Sequence, residues 1–184
     1  MTLLLALAAG WAGPGGASPE VGSEYQTKAA QIYSFTKFID WPPKKFPTSE
    51  SPFIIGVYGA DDITDFLREC FQSRRIKDHP VEIRHLLNKA ELSGCHLVFV
   101  SRSERDRLGT VLYELRHENI LSVGESDNFL KSGGVINFIN VEGATRFQIN
   151  LDAASRERLK VSSKLLPIAY PANGIVRLAP VTSP

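Results

Sequence analysis

The chain has 184 residues, 43% of them hydrophobic and 22% charged, with a formal net charge of +1. Those proportions fit one globular domain with a single substantial core and exclude a disordered or fibrous chain. Acidic and basic residues are interleaved, so the basic stripe that nucleic-acid binding requires is missing, and the short run Arg74-Arg75-Ile76-Lys77 reads as a solvated loop.

Leu3 to Ala9 form an apolar run, followed by Gly/Pro-rich sequence to Pro19. The run is too short to span a bilayer, which takes roughly twenty residues. It fits the apolar core of a signal peptide over residues 1–17, with Gly15-Gly16-Ala17 as a cleavage site, although no Lys or Arg precedes it. No later segment is long and apolar enough to enter a membrane, so the expectation is a soluble exported protein.

Residues 24–40 predict the first helix: Tyr25, Ala29, Ile32, Phe35, Thr36 and Ile39 recur at helical spacing, and Pro42-Pro43 stop it. Phe38 and Trp41 fall at the margin of that stripe, either as an aromatic docking surface or folded back over the core. Phe53–Tyr58 is a continuous apolar run, as in a strand buried on both faces, and a helix through Phe66, Leu67 and Cys70 follows it. Val81–Leu86 alternates like a strand nearer the sheet edge, and His96–Val100 is again of the buried type. Ser101 and Ser103 open a helix carrying Leu108, Val111, Leu112 and Leu115, and Ile120–Val123 is the next strand. A short helical turn then carries Phe129 and Leu130.

Strands alternating with helices imply a mainly parallel sheet covered on both faces. Val135–Val141 and Arg146–Leu151 are too close for a parallel crossover and must pair antiparallel, Gly133-Gly134 supplying the turn before them. Phe147, Ile149 and Leu151 make the dry face of the last strand, while Arg146, Gln148 and Asn150 make its wet face. Asp152 is expected to cap the following helix, which leads to Ser162-Ser163. The fold class is therefore α/β: a Rossmann-like three-layer α/β/α sandwich whose mostly parallel sheet ends in an antiparallel hairpin. One domain covers residues 24–169, and residues 170–184 read as a loose tail.

The chemistry-bearing residues do not assemble into a reaction centre. The turn Gly56-Val57-Tyr58-Gly59-Ala60-Asp61 lacks the glycine spacing of a phosphate cradle, and the four histidines stand on different elements without metal-ligand spacing. Neither a cofactor nor a metal is expected. Cys95 and His96 are neighbours on a strand and point to opposite faces, so they do not form a thiolate–imidazole pair. Cys70 and Cys95 could form a disulfide closing a loop of roughly twenty-five residues, worth about 3 kcal/mol, or could remain buried thiols. A ligand cleft, if present, would lie beyond the carboxyl ends of the strands, at Gly59, Asp61, Ser101, Ser103, Gly124 and Ser126.

Five blocks then carry a resemblance: KAAQIYSFTKFIDWP (28–42), GCHLVFVSRSE (94–104), ILSVGESDNF (120–129), GGVINF (133–138) and RFQINLDAASRERLKVSSKLL (146–166). In order and spacing they resemble the YfiR-like family of exported bacterial proteins, from about residue 25 to residue 169. Asp61-Asp62 departs from the Asp-Pro expected after the first strand, and the tail beyond Ala169 is additional. The resemblance implies a periplasmic protein that acts without catalysis. Its partner would be the periplasmic sensor domain of an inner-membrane diguanylate cyclase, or another membrane sensor, so that cyclic di-GMP and biofilm growth are held down. It also implies redox sensitivity and homodimer formation in some members. The surface expected to dock comprises Phe38, Trp41, Arg146, Gln148, Asn150, Ser162 and Ser163. The alternatives are a small-ligand receptor using the strand-end cleft and a redox switch through Cys70 and Cys95.

Overall fold

The computed structural model describes residues 19–60 and 62–171, with side chains from residue 22 onward. The expected signal segment, Asp61 and most of the tail lie outside the described residues. The first helix, α1, runs Pro19–Phe38 and buries Ala29, Ile32 and Phe35 completely. It stops earlier than its periodicity suggests. Ile39–Asp40 (β1) leaves the helix to pair antiparallel with Lys160–Val161 (β9), and Ser162 N donates to Phe38 O at 2.8 Å.

The remaining elements in chain order are β2 (Phe53–Tyr58), α2 (Ile63–Phe71), β3 (Arg75–Ile76), β4 (His79–Leu86), β5 (Leu97–Val100), α3 (Leu108–Glu114), β6 (Leu121–Gly124), β7 (Ile136–Val141), β8 (Ala144–Ile149) and α4 (Leu151–Arg156). The main sheet has the order β3-β4-β2-β5-β6-β7-β8. From β4 through β7 neighbouring strands are parallel, and β3 and β8 close the two sides antiparallel. The apolar run of β2 thus occupies a central position, with a parallel partner on each side, as its two-sided hydrophobicity requires.

One core lies between the sheet and α1, α2 and α4. It joins Ile32, Phe35, Phe53, Ile55, Leu97, Phe99, Val123, Phe138 and Phe147. The second core lies on the other face, where Val98 and Val100 of β5 meet Val111, Leu112 and Leu115 of α3. Phe129 is fully buried there between Gly124 and Gly134, whose backbones approach so closely that a Cβ would stand 2.2 Å and 2.1 Å from its ring. Only glycine fits at either position.

Several expectations change. The cationic run is not wholly a loop: Ile76 is buried, and with Arg75 it forms β3 against β4. Before α3 the chain winds as a 3-10 helix over Arg102–Arg107. Asn150, not Asp152, caps α4, its Oδ1 accepting from Ala153 N at 2.9 Å. Cys70 and Cys95 are both free thiols. Cys70 packs with the α1 core and Cys95 with the α3 core, so the sheet stands between them. That placement overturns the intramolecular disulfide and the redox switch built on it.

Candidate functional site

At the carboxyl ends of the parallel strands, two adjacent seams are built differently. Between β2 and β5, where the strand order reverses, the loops are zipped to each other. Ser101 Oγ donates to Ala60 O at 2.8 Å, and Ala60 N donates to Ser103 Oγ at 3.0 Å. Ser103 N closes on Ser101 Oγ at 3.2 Å, and Gly59 at φ 99° sits so close that a Cβ there would lie 2.7 Å from Ser103 Oγ. An open α/β sheet usually receives its ligand at such a reversal. Here the serines seal it with their own hydroxyls.

Between β5 and β6 the loops are joined through Arg102 and Glu125 instead, with a cavity beside them. Glu125, directly after β6, is buried and turns its carboxylate in two directions. Oε2 accepts from Lys28 Nζ of α1 at 2.5 Å, and Oε1 accepts from Arg102 N at 3.4 Å. Arg102 Nη2 also donates to Glu125 O at 3.3 Å. Lys28 is only 3% exposed and has a second carboxylate, Glu24 Oε1, at 2.5 Å. A buried charge is tolerable only when paired and hydrogen-bonded, and both members of this pair are. Beside it lies a cavity of about 440 Å³ whose wall includes Arg102, Arg105, Asp106, Ser126, Asp127 and Asn128. Ser126 is 4% exposed, and its Oγ has no hydrogen-bond partner among the described residues. Gly124 is buried against Phe129 and frames the strand end.

A second concavity, about 520 Å³, separates the first turns of α1 from the β7–β8 hairpin; Ser23, Thr27, Asn140, Thr145 and Arg146 line it. The hairpin is tied to the helix where Gln31 Nε2 donates to Thr145 O at 3.4 Å. On the outer edge of β8, Tyr170 N donates to Phe147 O at 2.7 Å and Gln148 Nε2 to Pro171 O at 3.1 Å. The polar rim of this edge is therefore Arg146, which is exposed, and the half-buried Gln148.

The other expected surface residues divide. Trp41 is 6% exposed, and its Nε1 donates to His96 O at 2.8 Å, so it is part of the core. Asn150 is buried, and besides capping α4 it donates through Nδ2 to Leu130 O at 3.0 Å. Phe38 is half-buried, and the β1–β9 pairing sets it beside the half-buried Ser162, with Ser163 exposed next to it. Among the described residues no three His, Cys, Asp or Glu side chains gather as a metal site would require.

The Lys28–Glu125 pair escaped the sequence reading, although a signal was present. Lys28 sits three residues after Tyr25 and four before Ile32, on the stripe α1 buries, where an unpaired ammonium would be prohibitively costly. Its partner came from a strand end 97 residues away, which helical spacing does not reveal.

With this geometry in view, the comparisons with known proteins give a family and a fold. The family model described as YfiR/HmsC-like (DUF4154) matches residues 25–170. No curated protein matches the chain. Among solved structures, a conserved domain protein from Vibrio cholerae superposes with a TM-score of 0.53 at 8% identity, over 79% of this chain and 58% of that one. The ABC domain solved in complex with L-Trp from Streptococcus pneumoniae superposes with a TM-score of 0.51 at 9% identity, over 79% of this chain and 59% of that one. The chain therefore spans little more than half the length of those structures, and at such identity the likeness concerns the fold alone.

Proposed function

Because the chain belongs to the YfiR/HmsC-like family across residues 25–170, whose members are in general regulatory, non-catalytic proteins of the periplasm, we propose that it regulates by binding. Its partner is the periplasmic sensor domain of a membrane-bound diguanylate cyclase, which it holds in the inactive state so that cyclic di-GMP stays low. Family membership is the observation that carries this reading. Among the described residues no helix is long and apolar enough to cross a membrane, which suits a protein that meets its target from one side.

The docking surface in this reading comprises the concavity between the first turns of α1 and the β7–β8 hairpin, with Arg146 in its wall, and the strip at Phe38, Ser162 and Ser163 by the other end of α1. Arg146 is exposed, and a rim charge of this kind steers association and selects among partners. Binding alone does not regulate: the chain must prefer the inactive conformation of the cyclase over the active one. The test is capture of the cyclase from detergent-solubilised membranes, followed by a cyclase assay with and without the purified protein. Inhibition is expected, and Arg146→Glu should weaken it at least tenfold. If no cyclase is captured, or deletion of the chain leaves cyclic di-GMP unchanged, the cyclase reading is wrong.

A further inference from the structure

We propose that the cavity at the carboxyl ends of β5 and β6 binds a small hydrophilic zwitterion, a molecule with one carboxylate, one ammonium group and no apolar body. The cavity holds about 440 Å³, within the range of small-molecule sites. Ser126 is the first indication. Ser126 lines this cavity, and its buried hydroxyl has no hydrogen-bond partner among the described residues, whereas the hydroxyls of Ser101 and Ser103 in the neighbouring seam are satisfied by Ala60. Buried polar groups are almost always hydrogen-bonded, so Ser126 Oγ is placed for a partner the chain does not supply.

The charges in the wall define the class of ligand. Arg102 and Arg105 come from the loop after β5, Asp106 from the same loop, and Asp127 from the loop after β6. Glu125 does not compete for a ligand, because its two oxygens already accept from Lys28 and Arg102 N. Arg102 lines the cavity and donates through Nη2 to Glu125 O at 3.3 Å. Among the described residues Arg105 pairs only with its sequence neighbour Asp106, at 3.7 Å with both side chains exposed, a loose pair that a ligand can exchange for better-directed bonds. A simple dianion would face Asp106 and Asp127 at close quarters, and a simple cation would face Arg102 and Arg105. A zwitterion answers both sets. The wall contains no hydrophobic or aromatic residue, which excludes ligands that rely on an apolar body. The proposal does not rest on the docking surface, although the chain Glu24–Lys28–Glu125 joins the two concavities.

NMR titration of the isotope-labelled protein decides the matter, with L-serine and L-glutamine as zwitterionic probes, sodium sulfate as the anion-only control and ethanolamine as the cation-only control. Amide shifts are expected at residues 102–106 and 125–128 with both amino acids. Affinity should fall at least tenfold with either control of one charge sign, and at least tenfold in Arg105→Ala and Ser126→Ala, the loss expected for a charge-assisted or buried hydrogen bond. Arg105 is exposed and its truncation leaves the fold intact, so that variant remains decisive if Ser126→Ala disturbs packing. No shift with either amino acid, shifts elsewhere on the chain, affinity unchanged in Arg105→Ala, or sulfate binding equally well would each overturn the proposal.

Discussion

The two ends of the parallel sheet are finished by opposite means. At the amino end the chain packs rings. Phe46 is stacked between His79 at 4.2 Å and His96 at 4.6 Å, Phe53 lies 5.0 Å from His96, and Trp41 meets Phe53 edge-on at 4.9 Å. The histidines also tie the 42–52 loop down, His96 through Nε2 to Lys45 O at 3.1 Å and His79 through Nδ1 to Ser51 O at 2.8 Å. At the carboxyl end the Lys28–Glu125 pair takes the place of packing, and a cavity and an unpartnered hydroxyl stand beside it. Packed rings leave little for a ligand to do. Paired charges beside a concavity are what the proposed zwitterion site rests on, and the contrast sets an end closed by packed rings against an end closed by charge.

The largest effect should come from breaking the ion pair. Glu125→Ala leaves the Lys28 ammonium buried with Glu24 alone and should cost about 3–5 kcal/mol, read as a lower urea midpoint at unchanged slope. The double replacement Lys28→Met with Glu125→Leu should recover most of that loss, since a buried pair is often replaceable by apolar residues of similar volume. If Glu125→Ala is neutral, the two ends are not finished differently after all.

Acid should act on the other end. Burial pushes the His96 imidazole down to about 4, with Lys45 and His79 adding repulsion against the hydrogen bond to Lys45 O. The neutral form is fixed by geometry: Nδ1 accepts from Ile54 N at 3.1 Å, so Nε2 carries the proton that goes to Lys45 O. The unfolded chain therefore binds this proton more readily than the folded one between its ordinary value of 6.5 and about 4. Stability from this group is full above 6.5 and declines as pH falls through that window, by on the order of 3 kcal/mol. Unfolding midpoints at pH 7, 5.5 and 4 check it, with the slope much reduced in His96→Gln. A smaller loss belongs to Phe46→Ala, about 2 kcal/mol, because the ring is half-buried where a fully buried Phe would cost more. It should also release the 42–52 loop, visible as faster amide exchange there.

The same contrast marks what the sequence made legible. The strands β2, β5 and β6, the β7–β8 hairpin and the core stripe of α1 were readable because each repeats its periodicity over several residues. The pairs β1–β9 and β3–β4 were not, since a two-residue strand has no period and its existence rests on a partner distant in sequence. Asp152 competed with Asn150 for the cap of α4 because both have the right chemistry, and only the backbone at Asn150 is extended as an N-cap requires. The layout of the strand ends was partly legible. Strand-end serines announced themselves, but Ser101 and Ser103 turned inward to seal one seam while Ser126 was left to line the next, a difference of loop geometry that residue type does not encode.

The smallest effect is expected at the cysteines, and it tests the packed end. Cys95 lies under Gly56 and Leu86, so close that a Cβ on Gly56 would stand 2.9 Å from its sulfur. Burial pushes its thiol up to about 11, with Arg84 and Lys45 only partly offsetting it, and burial also raises the Cys70 thiol. The thiolate is the reactive form, so both should label slowly at neutral pH, the half-buried Cys70 ahead of the buried Cys95. With the sheet between them, reductant should leave the melting temperature unchanged. A melting temperature that drops on reduction would require the two sulfurs to have met, and hence the amino end of the sheet to open far enough to let Cys95 out. Slow labelling of Cys95 at a rate set by global unfolding would instead show that the ring-packed end stays closed for as long as the protein is folded.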